Sequence, residues 1–309
     1  MVHVSESVVQ SVGELQRFPR CEGGVVSSIV GAPLLLGRYR PLSLLAKGGG
    51  SSIYRGHDEQ LDRSVAIKLL RNGSEFDVAQ YRDEVRVLAS LSHHGVVSII
   101  DAGIDDSAPT DPRPFLVMEL VQGRNLRETI ANGPLSEQRI GEIGFEVAEA
   151  LEYVHSRGVI HRDVTPSNVM IVDYGTSSSR PRARITDFGI AISTISPSTP
   201  ADPDVIVGTA AYLAPEQVMN FPLTSAADVY SLGLVLLECF TGGLAFPGDA
   251  LASAIARLSD DPEINPEQVP EPWAALLRAM TAREPGDRPT AAEAAEELRV
   301  SLREINRDE

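Results

Sequence analysis

An aspartate and an asparagine, Asp163 and Asn168, stand inside Val159–Ile171, VIHRDVTPSNVMI, between two short apolar runs. A strand, a polar loop and a second strand would fix these two oxygen-bearing side chains at the mouth of a cleft. An Asx-rich turn between buried strands uses the same residue types. A second candidate is Lys68, in Asp62–Leu70, where Val65, Ile67 and Leu69 alternate with Ala66 and Lys68. A lysine on the inner face of a buried strand is costly unless paired. The next stretch offers Glu84 as the partner. There Val78, Tyr81, Val85, Leu88 and Leu91 recur at helical spacing, and Glu84 lies beside that apolar face. A third candidate is Gly48-Gly49-Gly50, which follows the strand-like Tyr39–Leu45. Consecutive glycines allow a tight hairpin whose backbone approaches a ligand, and its N–H groups can cradle phosphates.

These groups need elements to position them. The chain has 309 residues, 43% hydrophobic and 23% charged, which suits a globular protein with room for two lobes. Aromatics make up only 5%, so the cores must be built from Leu, Val, Ile and Ala. A formal charge of −16 argues against nucleic acid as a partner, which calls for a basic footprint. Cys21 and Cys239 lie far apart in unlike contexts. That is no disulfide framework and suits a reducing compartment, so a cytoplasmic setting is expected. The six histidines have no HExxH or CxxC company, which argues against zinc.

Residues 1–37 lack sustained periodicity and read as an arm, without the basic start of a signal peptide. Gly24–Gly37 is mostly apolar but too short to span a bilayer, and no membrane span is expected. Val96–Ile100 and Phe115–Leu120 read as strands around an Asp- and Pro-rich turn. Ser136–Arg157 reads as a long helix with Ser136 as its cap, a stripe of Ile140, Ile143, Val147, Leu151 and Val154, and Gly158 as its stop. Asp173–Arg184 is a Ser- and Arg-rich turn, longer than a hairpin needs. Asp228 opens an apolar helix, and Glu293–Ile305 is a closing helix.

Several stretches resemble eukaryotic-like (Hanks-type) protein kinases, in the bacterial Ser/Thr branch, and do so in order over about residues 38–304. His161-Arg162-Asp163 with Asn168 resembles the catalytic loop H-R-D-x-x-x-x-N, Val65-Ala66-Ile67-Lys68 the VAIK strand, and Asp187-Phe188-Gly189 the DFG segment. Gly208-Thr209 to Ala214-Pro215-Glu216 resembles the segment ending in A-P-E, and Met118-Glu119-Leu120-Val121 the hinge. The fold implied is α+β and bilobal: a small β-rich lobe with one main helix (38–120), a larger, mostly helical lobe (124–304) and a short tail (305–309).

The activity implied is transfer of the γ-phosphoryl group of ATP, with Mg2+ or Mn2+, to Ser/Thr hydroxyls of protein substrates, including its own activation loop. The resemblance gives Asp163 the acceptor hydroxyl, Asn168 and Asp187 the metal, and Lys68, held by Glu84, the phosphates. Ala46, Lys47, Gly48, Gly49, Gly50 and Ser51 would cover the phosphates, with Ile53 at the valine position. Ala66 and Met170 would sandwich adenine, beside Met118 and the backbone of Glu119 and Val121. Arg288 would pair with Glu216. A homodimer through the small lobes is suggested by the family alone.

Two positions depart from the pattern. Thr165 replaces the usual lysine two residues after the catalytic aspartate, and Ala46 and Ser51 replace glycines. A hydroxyl donates a hydrogen bond but supplies no charge. The alternative left open by these departures is a nucleotide-binding pseudokinase or scaffold. Ser193, Thr194, Ser196, Ser198 and Thr199 are candidate phosphorylation sites, with Arg162 as a receiving charge.

Overall fold

The structure, a computed structural model, describes residues 34–48, 51–70, 78–105, 113–175, 180–188 and 210–308. Five antiparallel strands, β1 (Tyr39–Lys47), β2 (Ser51–Asp58), β3 (Arg63–Leu70), β4 (Ile99–Asp105) and β5 (Arg113–Glu119), form a sheet in the order β1-β2-β3-β5-β4. β3 is central, and its alternation serves two cores. Val65 and Ile67 pack with Leu35, Tyr39, Phe115 and Val117 on one face. Ala66 and Leu70 join the large cluster on the other face, which is also the face of Lys68. Helix α1 (Val78–Ala89) buries Tyr81 and Leu88. The Tyr81 hydroxyl donates to the Phe115 carbonyl at 2.8 Å, which fixes the rotation of the helix against β5.

The chain then enters a larger helical part through β6 (Gly123–Asn125) and α2 (Leu126–Ala131). A Cβ at Gly123 would lie 2.2 Å from the Ile171 carbonyl oxygen, so only glycine lets β6 approach its neighbour this closely. Helix α3 (Glu137–Ser156) starts where the Ser136 side chain accepts the Arg139 N–H and stops at Gly158, with φ +72°. Its Ile140, Ile143, Val147, Leu151 and Val154 are all buried. Strands β7 (Val169–Val172) and β8 (Arg182–Ile185) form a three-stranded sheet with β6.

After the short α4 (Pro215–Val218), helix α5 (Ala226–Thr241) is buried along nearly its whole length. The last helices are α6 (Ala250–Ser259), α7 (Trp273–Met280) and α8 (Ala291–Asp308). The Trp273 indole is buried and donates to Glu137, tying α7 to the start of α3. A β-rich lobe with one helix beside a mostly helical lobe gives the bilobal α+β architecture that the resemblance implies.

Leu35 is buried and its N–H bonds the Tyr39 carbonyl at 3.0 Å, so it packs at the start of the small lobe. Two boundaries differ from the expectations. The strand expected at Val96–Ile100 runs instead from Ile99 to Asp105, and Val96 forms only an isolated bridge to Ile185. The closing helix continues past Ile305 to Asp308. Among the described residues no helix is long and apolar enough to cross a membrane.

Candidate active site

The loop holding Asp163 is fixed from below. The backbone N–H groups of His161 and Arg162 both donate to Asp228 on α5, each at 2.7 Å. His155 Nε2 lies 2.7 Å from the same carboxylate, and Asp228 is 1% exposed. A buried carboxylate needs such partners, and here they are the loop itself. Arg162 sits in the left-handed region at φ +68°, a conformation that costs a non-glycine residue about 1 kcal/mol or more. Two contacts hold it there, the Asp228 bond and the Gln217 side-chain amide donating to its carbonyl at 2.9 Å. His161 is fully buried, with Nε2 3.0 Å from the Thr186 carbonyl and Nδ1 accepting the Asp163 N–H at 3.3 Å.

Asp163 and Asn168 meet directly. The Asn168 amide nitrogen donates to Asp163 Oδ2 and to the Asp163 carbonyl, both at 2.9 Å. That leaves the amide oxygen of Asn168 for a cation. Asp163 Oδ1 is buried and, among the described residues, has no hydrogen-bond partner. An acceptor in this state fits an incoming hydroxyl donor. Burial pushes the Asp163 carboxyl above its usual range, a shift opposed by His161, Asn168 and Lys68 and reinforced by Asp187. Thr165 is buried, and its carbonyl accepts the Asn168 N–H at 3.0 Å as the tight turn Pro166–Asn168 begins.

Asp187 follows β8, in the left-handed region at φ +63°. Phe188 behind it packs on the His161 ring, with centroids 4.6 Å apart. Asp187 Oδ1 lies 3.1 Å from Lys68 Nζ, and both side chains are mostly buried. The expected Lys68–Glu84 pair is therefore replaced by Lys68–Asp187. Glu84 accepts from Gln80, one turn back on α1, at 2.9 Å. The reason lies in the helix rotation. Tyr81 and Leu88 define the inward line of α1, and at 100° per residue Glu84 falls roughly 50° to one side of it.

At the end of the small sheet, Ala46 pairs with Ile53 and Lys47 with Ser52 across the β1–β2 hairpin. The Gly48 N–H donates to the Ser51 carbonyl at 2.8 Å. Gly49 and Gly50 lie outside the described residues, as do Gly189, Thr209 and the candidate phosphorylation sites Ser193 to Thr199. Ala66 and Met118 are register partners on β3 and β5, both buried. Met170 on β7 and Val121 after β5 are half-buried.

The Glu119 carboxylate is engaged within the protein. It takes a bidentate ion pair from Arg184, 2.8 Å on each arm, and Arg184 also donates to the Val96 carbonyl at 2.8 Å. This clamp was not foreseen. Nor was the docking of the Arg-rich turn, where Arg182 reaches the buried Glu146 at 2.7 Å and Arg180 pairs with Glu142. Buried acids on α3 were the signal for it. Another unforeseen group joins Tyr212, Glu238 and Arg127 by short contacts. Its signal was a glutamate inside the apolar run of α5. The expected Arg288–Glu216 pair is present, buried and bidentate at 2.6 and 2.9 Å.

The protein kinase domain family matches residues 39–298. The chain is 37% identical over 263 residues to the serine/threonine-protein kinase PknL of Mycobacterium tuberculosis, covering 82% of this chain and 63% of the relative. It is 36% identical over 266 residues to a probable serine/threonine-protein kinase PknB of Lactococcus lactis, covering 83% and 40%. Against the serine/threonine-protein kinase PrkC of Bacillus subtilis it is 35% identical over 267 residues, covering 83% and 39%. The chain thus spans less than two thirds of the length of these relatives. A family match across nearly all the described residues, on a fold that brings Lys68, Asp163, Asn168 and Asp187 to one cleft, identifies the chain as a member of the bacterial Hanks-type Ser/Thr protein kinases.

Proposed function

We propose that this chain transfers the γ-phosphoryl group of ATP to Ser/Thr hydroxyls of proteins, its own segment between Phe188 and Ala210 included. The observation that carries this reading is the buried, unpartnered Oδ1 of Asp163, held beside Asn168 and close to Asp187. Asp163 accepts the proton of the attacking hydroxyl and aims its oxygen at the phosphorus. Lys68 supplies positive charge to the phosphates once Asp187 releases it. Asn168 and Asp187 offer hard oxygen donors that would hold a divalent cation, Mg2+ in this reading, which would supply charge neutralisation at the phosphate oxygens. The stretch from Gly48 to Ser51 covers the phosphates, and Ala66, Met118, Met170 and the backbone at Glu119 and Val121 hold the adenine.

Residues 38–304 form the kinase domain in this reading. Thr165 stands where a lysine would reach the transferring phosphate, so charge at that point falls to Lys68 and the cation. The test supplies ATP labelled at the γ-phosphate, with Mg2+, to a generic protein acceptor and to a panel of small-molecule acceptors. Label on protein serine or threonine is the expected result. Label confined to a small molecule, or no label with ATP still bound, overturns the reading.

A further inference from the structure

The sequence offers no zinc motif of fixed spacing, yet the fold assembles a ligand set from two distant segments. Among the described residues, His93, His94 and Glu149 each offer one ligand atom, all within 4.8 Å of one another. His93 and His94 lie in the loop after α1, and Glu149 lies on α3. His94 Nε2 is 3.2 Å from Glu149 Oε2. Tetrahedral ligand atoms about 2.1 Å from zinc stand about 3.4 Å from one another, so this pair is already at ligating separation.

The third ligand is held nearby. The His93 ring stacks on Tyr153 at 4.9 Å and 17°, and its centroid is 4.2 Å from that of His94. The Tyr153 hydroxyl accepts the Ser92 N–H at 2.8 Å, and a Cβ at Gly95 would come within 2.9 Å of Ala150. The loop is therefore pressed onto α3 by its backbone as well as its rings. Glu152 bears on His93 electrostatically as a second acid on the same helix. The exposed His94 gives a cation and its waters a route in.

We propose that His93, His94 and Glu149 form a binding site for a borderline divalent cation of the Zn2+ class, separate from the phosphate-side metal. Two imidazoles and one carboxylate leave a fourth position open, and imidazole favours zinc over the oxygen-seeking Mg2+. His93 is the weakest ligand. Its Nδ1 accepts the Gly95 N–H at 3.1 Å, and coordination gives up that bond, either by taking the Nδ1 lone pair or, through Nε2, by moving the ring proton onto Nδ1.

The site lies at the foot of α1. The same loop pairs with β8 through Val97 N–H to the Ile185 carbonyl at 2.9 Å and Ile185 N–H to the Gly95 carbonyl at 2.8 Å. A cation there fastens the loop that carries α1 to helix α3 of the large lobe.

The test is a calorimetric titration of Zn2+ alone into the full chain, with excess Mg2+ present to fill hard-oxygen sites. One equivalent of Zn2+ is expected to bind. Either His94→Ala or Glu149→Gln should weaken it about tenfold or more, with the metal-free melting temperature unchanged. Zn2+ should raise the melting temperature of the wild type and not of either variant. Identical titrations for all three proteins, or no binding to the wild type, overturn the proposal. Neither outcome depends on phosphotransfer.

Discussion

The two sides of the cleft are held in opposite ways. The loop at Asp163 is clamped: Asp228 takes two backbone N–H groups, Gln217 takes a carbonyl, and Asn168 takes Asp163 itself. Across the cleft, α1 buries only Tyr81 and Leu88 and leaves Glu84 bonded within its own helix. Lys68 is then held by Asp187, on the large-lobe side of the cleft. The carboxylate proposed to accept the proton is thus built into the rigid part, while the partner of the lysine proposed to face the phosphates depends on where a lightly anchored helix sits. Local unfolding theory gives such an element the lower stability.

This contrast breaks most readily at Asp228. Asp228→Ala strands a buried N–H group at His161 and a part-buried one at Arg162, each costing up to about 1–3 kcal/mol. A stability loss of about 3 kcal/mol or more is expected from urea unfolding, and a loss under 1 kcal/mol would mean that the clamp is not what fixes the loop.

Asp187→Ala comes next. It should slow phosphotransfer at least ~10²-fold, about 2.7 kcal/mol in the barrier, and near-normal turnover would remove Asp187 from the metal role.

Acidity gives a third, graded test. In the proposed role Asp163 acts in its ionised form, and burial raises its carboxyl above the usual range. The acid limb of kcat/KM should therefore fall as pH drops through a value above the ~3.9 of a free aspartate. A limb at the free value would show that the carboxylate is better solvated than the structure has it.

The smallest effect belongs to Glu84→Gln. Among the described residues its carboxylate bonds only Gln80, so stability should stay within about 0.5 kcal/mol. The rate should fall by less than with Asp187→Ala. A Glu84→Gln loss as large as that of Asp187→Ala would mean that α1 turns Glu84 onto Lys68 during turnover.

Much of this was legible because it is local. The cap at Ser136, the Gly158 stop and the buried stripe of α3 follow from spacing over a few residues. The alternation that puts Lys68 on one face of β3 is equally short-range, and so is the five-residue step that joins Asp163 to Asn168. The partner of Lys68 was not legible. It is set by the rotation of a helix whose inward line is chosen by a tyrosine bonding to β5.

Arg184 on Glu119, Arg182 on Glu146 and the Asp228 clamp join residues dozens of positions apart. For these the sequence shows only a buried acid or a strand arginine in need of a partner, not which partner. The histidine and glutamate cluster behind α1 belongs to the same class.

The central claim is that Asp163 is a working phosphoryl-transfer carboxylate. Intact mass before and after incubation with ATP and Mg2+, on wild type and on Asp163→Asn, tests it most directly. Steps of one phosphate in the wild type and none in the variant are the predicted result. Equal steps in both proteins, or none in a wild type that binds ATP, would contradict it.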